Sequence, residues 1–577
     1  MLDTHTRYVS LNGSDQGTGT KEAPFRTIST ALANARPGTT IIVEPGLHHE
    51  RVQIPSSGSP GDPIVLEGAR GPGGEWQTVI GGAVPLECDW ETAPEIGEGV
   101  FKTTGMPFEP HFLTVEGNQI PRIWHTQMDD GTGFEKLAYP PSHRVRTQYT
   151  EAMVDYWDTV EAMFGLKGDT TYIRFRNGDD PNDKQLCAGP QGGVINIENQ
   201  SHIALRNLLV RGGQNCVLVS GEGARHNVVE DCRLVGGDKR VYITAGASHN
   251  HIRNNEITAD FYAQRYQTGA WGGPKGDASP YELRVKEHFY LEYKHFFGPH
   301  ATSDYGVRVE LGHDNHVYGN HIYRGGQGVQ VTSSSDSSVY DNTVHNFSSI
   351  GLICTMNRVK NIRFHNNLVY DCNINLRIHH VNEPNQDDDR SLYVYRNRFY
   401  QNPGTGTHIF MHYWDGNDAE DYRHAGVFIY HNSLSGGNRG ISMNAFAGNC
   451  GGLPKGIIVN NILSAKVGFN ASSSFFSQEG MYALFDYNWL GAETGQATVQ
   501  APWYGLHNVY EPGRTVWDVA EIPDFVLPEG SAALSAGLDL SKPFPVDGRQ
   551  AGPLAGMEPG YFTGSAPDLG AVQSGSD

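Results

Sequence analysis

A short phrase of apolar and polar positions recurs along this chain: an apolar run, a polar residue, Asn, and further apolar residues. Nine copies read LRNLLV (205–210), IRNNEI (252–257), VYGNHIY (317–323), VYDNTVH (339–345), FHNNLVY (364–370), YRNRFY (395–400), YHNSLS (430–435), VNNILS (459–464) and YNWL (487–490). A tenth copy, DCRLV (231–235), has Cys232 where the others have Asn.

The spacing of the copies indicates one structural unit repeated many times. Consecutive copies lie about 22 to 35 residues apart, except for a gap of 65 between Asn255 and Asn320. A period of this length is typical of a solenoid, and short apolar runs rich in β-branched residues are typical of strands. An Asn at the same place in each coil predicts a ladder of amides that hydrogen-bond to the coils above and below. The pattern therefore predicts an all-β fold, a right-handed parallel β-helix.

Composition agrees with this fold and limits the partners of the chain. Its 577 residues include 70 glycines, which suits many short strands and tight turns. The formal net charge of −21 disfavours nucleic acid as a partner, because nucleic-acid binding needs a basic surface. Seven Cys show no metal-ligand spacing and are expected to be reduced core thiols. We therefore expect no cofactor and no metal.

The first residues and the longest apolar runs bear on localisation. MLDTHTRYVSLNGSD lacks the charged start and apolar core of a signal peptide, and no apolar run is long enough to span a membrane. We expect a cytoplasmic protein, or a secreted one whose leader is absent from this sequence, with no membrane partner. The sequence leaves the oligomeric state open.

Changes in the repeat divide the chain into four parts. Residues 1–84 are expected to form a cap, with a helix at 28–35, and the first coils; residues 85–194 break the period and predict an inserted β-rich domain with a helical stretch near 150–165. Residues 195–495 form the β-helix core, interrupted by a long aromatic loop at 259–304 that contains Trp271. Loops of this length in compact domains are often functional. The Pro- and Gly-rich residues 496–577 are expected to pack along the coils.

Three segments resemble known families. YVSLNGSDQGTGTKEAPFRTI followed by GTTIIVEPGLHHE resembles the start of carbohydrate-active β-helix proteins of the pectate-lyase-like superfamily. HFLTVEGNQIPRIW (111–124) and TTYIRFRNGDDPND (170–183) are similar to the inserted domain of β-helical glycosidases of the xylosidase and fucosidase kind. The resemblance implies a carbohydrate substrate and, from the layout, a glycoside hydrolase.

Alternation within the strands sorts side chains into inward and outward rows. The segments YGVRVELG (305–312), QGVQVTSS (327–334), IGLICTMN (350–357), INLRIHHV (374–381), THIFMHYW (407–414) and RGISMNAF (439–446) align on a small residue. Their inward columns are apolar throughout, and a slip of one residue would bury several charges. One outward row then holds Arg308, Gln330, Ile353, Arg377, Phe410 and Ser442, and the next holds Glu310, Thr332, Thr355, His379, His412 and Asn444.

These rows suggest two chemistries. Hydrolysis of a glycoside uses two carboxylates, and the rows supply Glu310, with Asp415 as the first choice for its partner. Elimination on a uronic acid needs cations that neutralise the substrate carboxylate and a base. Arg377 and Arg308 could supply the cations, and His379 or His412 the base.

We therefore predict catalytic roles for Glu310, His379, His412, Asp415 and Arg377, and substrate binding by Arg308, Gln330, His380, Tyr413, Trp414 and Trp271. Hydrolysis is narrowly favoured over a polysaccharide lyase or epimerase. A non-catalytic carbohydrate-binding solenoid is the third possibility. Departure from the glycosidase pattern is clearest at His379 and His412, which stand in a region where the similar enzymes carry acids.

Overall fold

The computed structural model describes residues 6–116, 118–120, 122–123, 137, 144–146, 153–155, 162–258, 305–356, 358–380, 391–403, 405–413, 426–445, 456–471, 483–491, 505–546 and 549–574. The chain divides into two compact units. Unit 1 comprises Met1–Arg308 with Ile322–Gln327, and unit 2 comprises Val309–His321 with Gly328–Asp577.

Unit 1 begins with one helix and six strands. They are β1 (Thr6–Val9), α1 (Ile28–Leu32), β2 (Thr40–Val43), β3 (Gly46–His49), β4 (Val52–Gln53), β5 (Ile64–Gly68) and β6 (Thr78–Gly81). Helix α1 is shorter than predicted and starts where the Thr27 side chain accepts a hydrogen bond from the Thr30 amide. Among the residues that the structure describes, no helix is long and apolar enough to cross a membrane.

The next strands form a separate, mainly antiparallel layer of unit 1. They are β7 (Val84–Pro85), β8 (Glu91–Thr92), β9 (Val100–Thr103), β10 (Phe112–Val115), β11 (Asn118–Ile120), β12 (Arg122–Ile123), β13 (Arg144–Arg146), β14 (Met153–Asp155), β15 (Ala162–Lys167), β16 (Thr170–Phe175) and β17 (Leu186–Gly189). Within this layer, β12 and β15 pair in parallel. Buried Trp90, Phe101, Leu113, Phe164 and Ile173 share one apolar cluster in this layer. The predicted helical stretch near 150–165 is wrong, because β14 and β15 are strands and β15 pairs along its whole length with β16.

The coils of unit 1 resume after this layer. Their strands are β18 (Gly193–Glu198), β19 (Ile203–Arg206), β20 (Leu209–Arg211), β21 (Asn215–Ser220), β22 (Val228–Glu230), β23 (Arg233–Val235), β24 (Lys239–Thr244), β25 (His251–Arg253), β26 (Glu256–Thr258) and β27 (Tyr305–Glu310). Strand β4 pairs in parallel with β18, β5 with β19 and β6 with β20. The stack of coils is therefore continuous across the antiparallel layer, which is inserted between β6 and β18.

Unit 2 has the same pattern of coils, and it includes Val309 and Glu310 of β27. Its strands are β28 (His316–Tyr318), β29 (His321–Thr332), β30 (Ser338–Tyr340), β31 (Thr343–Thr355), β32 (Ile362–His365), β33 (Leu368–Tyr370), β34 (Ile374–His380), β35 (Ser391–Tyr395), β36 (Arg398–Gln401), β37 (Thr407–Tyr413), β38 (Gly426–Tyr430), β39 (Ser433–Gly436), β40 (Arg439–Ala445), β41 (Gly456–Val459), β42 (Ile462–Ser464), β43 (Val467–Ala471), β44 (Ala483–Asp486), β45 (Trp489–Leu490), β46 (Val509–Tyr510), β47 (Phe544–Val546) and β48 (Arg549–Ala551). Residues 322–327 of β29 belong to unit 1. Equivalent strands of successive coils pair in parallel, as in β31–β34–β37–β40–β43 and β30–β32–β35–β38–β41. The predicted parallel β-helix is confirmed.

The predicted Asn ladder runs through unit 2. Each Asn amide donates from Nδ2 to Oδ1 of the Asn in the next coil, over 2.9 to 3.3 Å, in the order Asn320, Asn342, Asn367, Asn397, Asn432, Asn461, Asn488 and Asn508. The residue before each ladder Asn often has a left-handed backbone, as in Asp341 (φ 54°) and Asn366 (φ 56°). Asn and Asp tolerate this conformation better than other residues with side chains.

In unit 1, the first copies of the phrase do not all place an Asn at the ladder position. Cys232 occupies the ladder position as predicted, since its backbone N–H donates to Oδ1 of Asn255. In LRNLLV the ladder position belongs to Leu208, because Arg206 pairs with Glu230 and Asn207 takes the left-handed corner (φ 56°). The prediction that Asn207 belongs to the ladder is therefore wrong by one residue.

The C-terminal segment, residues 536–574 without 547 and 548, packs on the coils of unit 2. Leu540, Phe544 and Met557 are buried against Tyr395, Tyr430 and the β41 residues Ile457 and Val459. Leu569 joins a second buried cluster with Ile462 and Trp489. The segment thus covers apolar surface on the last coils.

Candidate functional site

The outward face of β31, β34, β37 and β40 in unit 2 carries the residues that the sequence singled out. The strand register places Ile353 beside Arg377, Arg377 beside Phe410, and Phe410 beside Ser442. In the second row, Thr355 lies beside His379 and His379 beside His412, with Asn444 in the next coil. The predicted register of these four strands is therefore confirmed, whereas the roles of the residues stay predictions.

The alternate residues on the other side of these strands are buried, and so are Ile353 and Ser442 of the first outward row. Leu352, Leu376, Ile409 and Ile441 are fully buried in one column, and Cys354, Ile378 and Met411 in the next. Arg377 and His379 alternate with them and are half-buried. They stand on the same side of β34, two residues apart, so a guanidinium and an imidazole can contact one ligand.

Glu310 and Gln330 belong to the two preceding coils. Glu310 is half-buried at the end of β27. Gln330 donates from Nε2 to Oγ1 of Thr355 over 3.2 Å, and its Oε1 is buried without a hydrogen-bond partner among the described residues. Gln330 thus connects its own coil to the row that contains His379.

Arg308 is the last residue of the long segment of unit 1 and lies among aromatic rings. Its guanidinium carbon is 5.2 Å from the ring centroid of Tyr305 and 5.9 Å from that of Tyr242. The ammonium of Lys239 lies 4.9 Å from the same Tyr242 ring. Cation–π attraction favours this arrangement, and it makes Arg308 and Lys239 neighbours on the surface of unit 1.

Several predicted residues cannot be placed as side chains. The backbones of His380, His412 and Tyr413 lie in described strands, but their side chains lie outside the described residues. Asp415, Trp414 and Trp271 lie outside them altogether, as does the 259–304 loop. Their assigned roles stay predictions.

His408 is a residue that alternation misplaces. It alternates with Ile409 and Met411, which predicts an outward side chain, yet it is completely buried. Nδ1 accepts a hydrogen bond from Nδ2 of Asn375 over 3.1 Å, and Nε2 donates to the carbonyl of Gly436 over 3.0 Å. The Asn375 orientation is fixed because its Oδ1 accepts from Nε2 of Gln401. Burial lowers the pKa of His408 to about 4.

The sequence pattern also does not predict a pair of side chains in unit 1 that joins the inserted layer to the coils. Nε2 of His111 lies 2.9 Å from Oδ2 of Asp238, and their side chains are 7% and 15% exposed. Nε2 of Gln214 donates to the same oxygen over 3.3 Å. Burial opposes ionisation of Asp238, but the hydrogen bond and charge of His111 outweigh it, so the pKa of Asp238 is lowered. The partners are 127 residues apart in sequence, so no local sequence pattern predicts their contact.

Among the residues that the structure describes, no group of three or more His, Cys, Asp or Glu side chains could hold a metal ion.

Comparison with known proteins gives partial matches in sequence. Residues 192–414 match the family model described as the right handed beta helix region, and residues 11–53 match a family of unknown function, DUF1565. The uncharacterized protein YwoF of Bacillus subtilis (strain 168) is 40% identical over 85 residues, which cover 15% of this chain and 17% of that protein. The chain thus spans about a sixth of the curated relative that it matches.

Solved structures show distant similarities. The complex structure of XylC with xylose has a TM-score of 0.44 at 16% identity, covering 81% of this chain and 70% of that one. Pectate lyase Pel9A has a TM-score of 0.41 at 12% identity, covering 98% and 96%. An alginate lyase from Paenibacillus sp. str. FPU-7 has a TM-score of 0.37 at 12% identity, covering 72% and 96%. By sequence and by its own strand pairing, this chain is a right-handed parallel β-helix protein.

Proposed function

We propose that this protein is a carbohydrate-active enzyme that cleaves glycosidic bonds by β-elimination in a polysaccharide containing uronic acids. The observation that carries the proposal is the position of Arg377 and His379 on one outward strand face, two residues apart. The resemblance of the first coils and of the inserted layer to carbohydrate-active β-helix proteins supports the substrate class.

Each of the two residues has a distinct task in this chemistry. The Arg377 guanidinium binds the substrate carboxylate and neutralises its charge, which makes the proton on the adjacent carbon easier to remove. The neutral imidazole of His379 takes that proton as general base. A carbon–carbon double bond then forms as the bond to the leaving glycosidic oxygen breaks, and that oxygen takes a proton from solvent. His412 stands one coil away, at a strand spacing of about 4.8 Å, beside the same substrate.

Hydrolysis, which the sequence narrowly favours, is the second candidate. It requires a pair of carboxylates, and Glu310 is the only one among the described outward positions of β29, β31, β34, β37 and β40 together with the end of β27. Its expected partner, Asp415, lies outside the described residues. Glu310 keeps this candidate open, because a half-buried carboxylate on this face suits a general acid.

The test is incubation with a panel of uronic and neutral polysaccharides, following ultraviolet absorbance of unsaturated products together with new reducing ends. Elimination predicts absorbing products from a uronic polymer and a loss of about 10²–10⁴-fold in rate for His379→Gln. Arg377→Gln is expected to raise KM and lower kcat, because the carboxylate then binds without its counter-charge. Arg398→Gln, a half-buried arginine on β36, which pairs with β33 and β39, is the matched control.

Two results would reject elimination. Reducing ends without absorbing products, lost on Glu310→Gln but kept in His379→Gln, would assign hydrolysis. Full activity in both Arg377→Gln and His379→Gln, with normal melting, would show that this face has a structural role and no catalytic one. Both side chains point outward, so each substitution is expected to change stability by less than about 1 kcal/mol.

A further inference from the structure

A buried histidine connects the C-terminal segment to the coils of unit 2. His431 occupies the left-handed corner before ladder residue Asn432, with φ of 53°, and is 1% exposed. Its Nδ1 lies 3.2 Å from the Gly570 carbonyl and its Nε2 lies 3.0 Å from Nδ2 of Asn460. The Tyr561 ring packs against it edge-on at 5.4 Å between centroids. The coils and the segment thus share one imidazole.

The orientation of Asn460 determines the proton on this imidazole. Oδ1 of Asn460 accepts from the Leu538 amide over 2.9 Å, and Nδ2 donates to the Leu538 carbonyl over 2.8 Å. The second hydrogen of Nδ2 therefore points at Nε2 of His431, which must accept it with a lone pair. Since the Gly570 carbonyl can only accept, Nδ1 carries the proton. His431 is thus held as one neutral tautomer by residues of the coils and of the C-terminal segment.

Protonation of His431 would break this arrangement. A hydrogen on Nε2 would face the Asn460 NH2 group at 3.0 Å, where two donors would oppose each other, and the nearest acceptor for it would be the Tyr561 hydroxyl at 3.4 Å. The Gly570 carbonyl would still accept from Nδ1, but the Asn460 bond that links the imidazole to Leu538 would be lost.

The charged neighbours of His431 come from both sides. Arg396 on the coil side disfavours the imidazolium, and its guanidinium carbon lies 5.7 Å from the Tyr561 ring. Asp568 on the segment side favours it, but this carboxylate already accepts from the amides of Ser535 and Ser574. Gln573 presents an amide nitrogen 3.4 Å from Nδ1. Burial, together with the charge of Arg396, lowers the pKa of His431 to about 3.

We propose that His431 is an acid-sensitive latch, which holds the C-terminal segment on the coils at neutral pH and releases it when the imidazole takes a second proton. Release would uncover the apolar surface around Tyr395, Tyr430, Ile457 and Val459 that Leu540, Phe544 and Met557 cover. The latch is independent of the proposed enzyme activity, because it uses neither Arg377 nor His379.

Hydrogen exchange of the full chain, read by mass spectrometry and corrected for intrinsic rates, tests the latch. A released His431 would titrate near its ordinary pKa of about 6.5, so acidification from about pH 7 to about pH 5 should raise segment opening by about 30-fold. The amides of 536–574 should therefore exchange faster than those of β38 and β41 at about pH 5. His431→Gln, which hydrogen-bonds without titrating, should reduce the change to less than about threefold.

His408→Gln is the matched control, because His408 is equally buried in the coils but hydrogen-bonds to Asn375 and Gly436 of the coils. It should keep the full pH response of the segment. Equal acid response in His431→Gln and the wild type would overturn the latch. The wild type alone is also decisive: if segment and coil amides are equally protected at about pH 5, or if the segment keeps its protection on acidification, the proposal is wrong even where the variant fails to fold.

Discussion

Acid should destabilise unit 2 through His408, the histidine that alternation misplaces. In the folded protein its pKa is about 4 because of burial, whereas an exposed imidazole titrates near 6.5. The unfolded chain therefore binds the proton more readily. The stabilising contribution of neutral His408 is present above about pH 6.5 and is lost as the pH falls toward about 4.

The magnitude follows from the interval between those two pKa values. Acidification from about pH 7 to about pH 5 ends about 1.5 pH units below the pKa of His408 in the unfolded chain. Each unit lowers the free energy of unfolding by about 1.36 kcal/mol, so the total loss due to His408 should be about 2 kcal/mol. The perturbation that isolates this term is His408→Gln, which keeps a polar side chain but cannot titrate. The assay is guanidinium unfolding followed at several pH values.

We expect the stability of the wild type to fall about 2 kcal/mol further than that of His408→Gln over this range. Parallel stability curves for the wild type and His408→Gln would refute the reasoning. They would mean that the imidazole is already charged in the folded protein, or that its site admits water.

Two other predictions concern buried polar groups. Asn342→Ala should lower stability by about 2–4 kcal/mol in guanidinium unfolding, because it removes the acceptor of the Asn320 amide and both bonds of its own Nδ2. Asn361→Ala, at a partly exposed corner, should cost less than about 1 kcal/mol, and an equal cost would contradict the ladder argument. His111→Phe should destabilise unit 1 by about 1.5–3 kcal/mol in thermal unfolding, since the buried Asp238 carboxylate loses its hydrogen bond with His111. The double variant with Asp238→Leu should recover part of the loss, and no recovery would show that the pair is not the cause.

Much of the fold could be read from the sequence because it depends on period and alternation. The inward columns at Leu352 and Leu376 follow directly from period-two alternation, and a shift would have buried Arg377. Asn207 was misassigned because Asn suits both a left-handed corner and a ladder position, and its copy contains only one Asn. The helical stretch near 150–165 was wrong because antiparallel pairing with β16 decides its last residues.

The candidate site could be predicted only where it lies on regular strands. Alternation fails at His408, the second residue of β37, because the turn of the next coil at Gly436 and Gly437 closes over it. The pairs His111–Asp238 and His431–Gly570 join segments 127 and 139 residues apart. Such pairs depend on how an inserted layer and a C-terminal segment dock, which no local period encodes.

Because of the Asn ladder, one coil of unit 2 can take the place of another. Every ladder residue of unit 2 offers the same donor and the same acceptor, so the bond from Asn342 to Asn367 is chemically the same as that from Asn367 to Asn397. Removing one whole coil would let its two neighbours bond to each other without a change of partner chemistry, because each repeat contacts only the next. Genes for such chains can therefore lengthen or shorten by whole coils, and an engineer could do the same, so long as the cut preserves the corner residue and its Asn together.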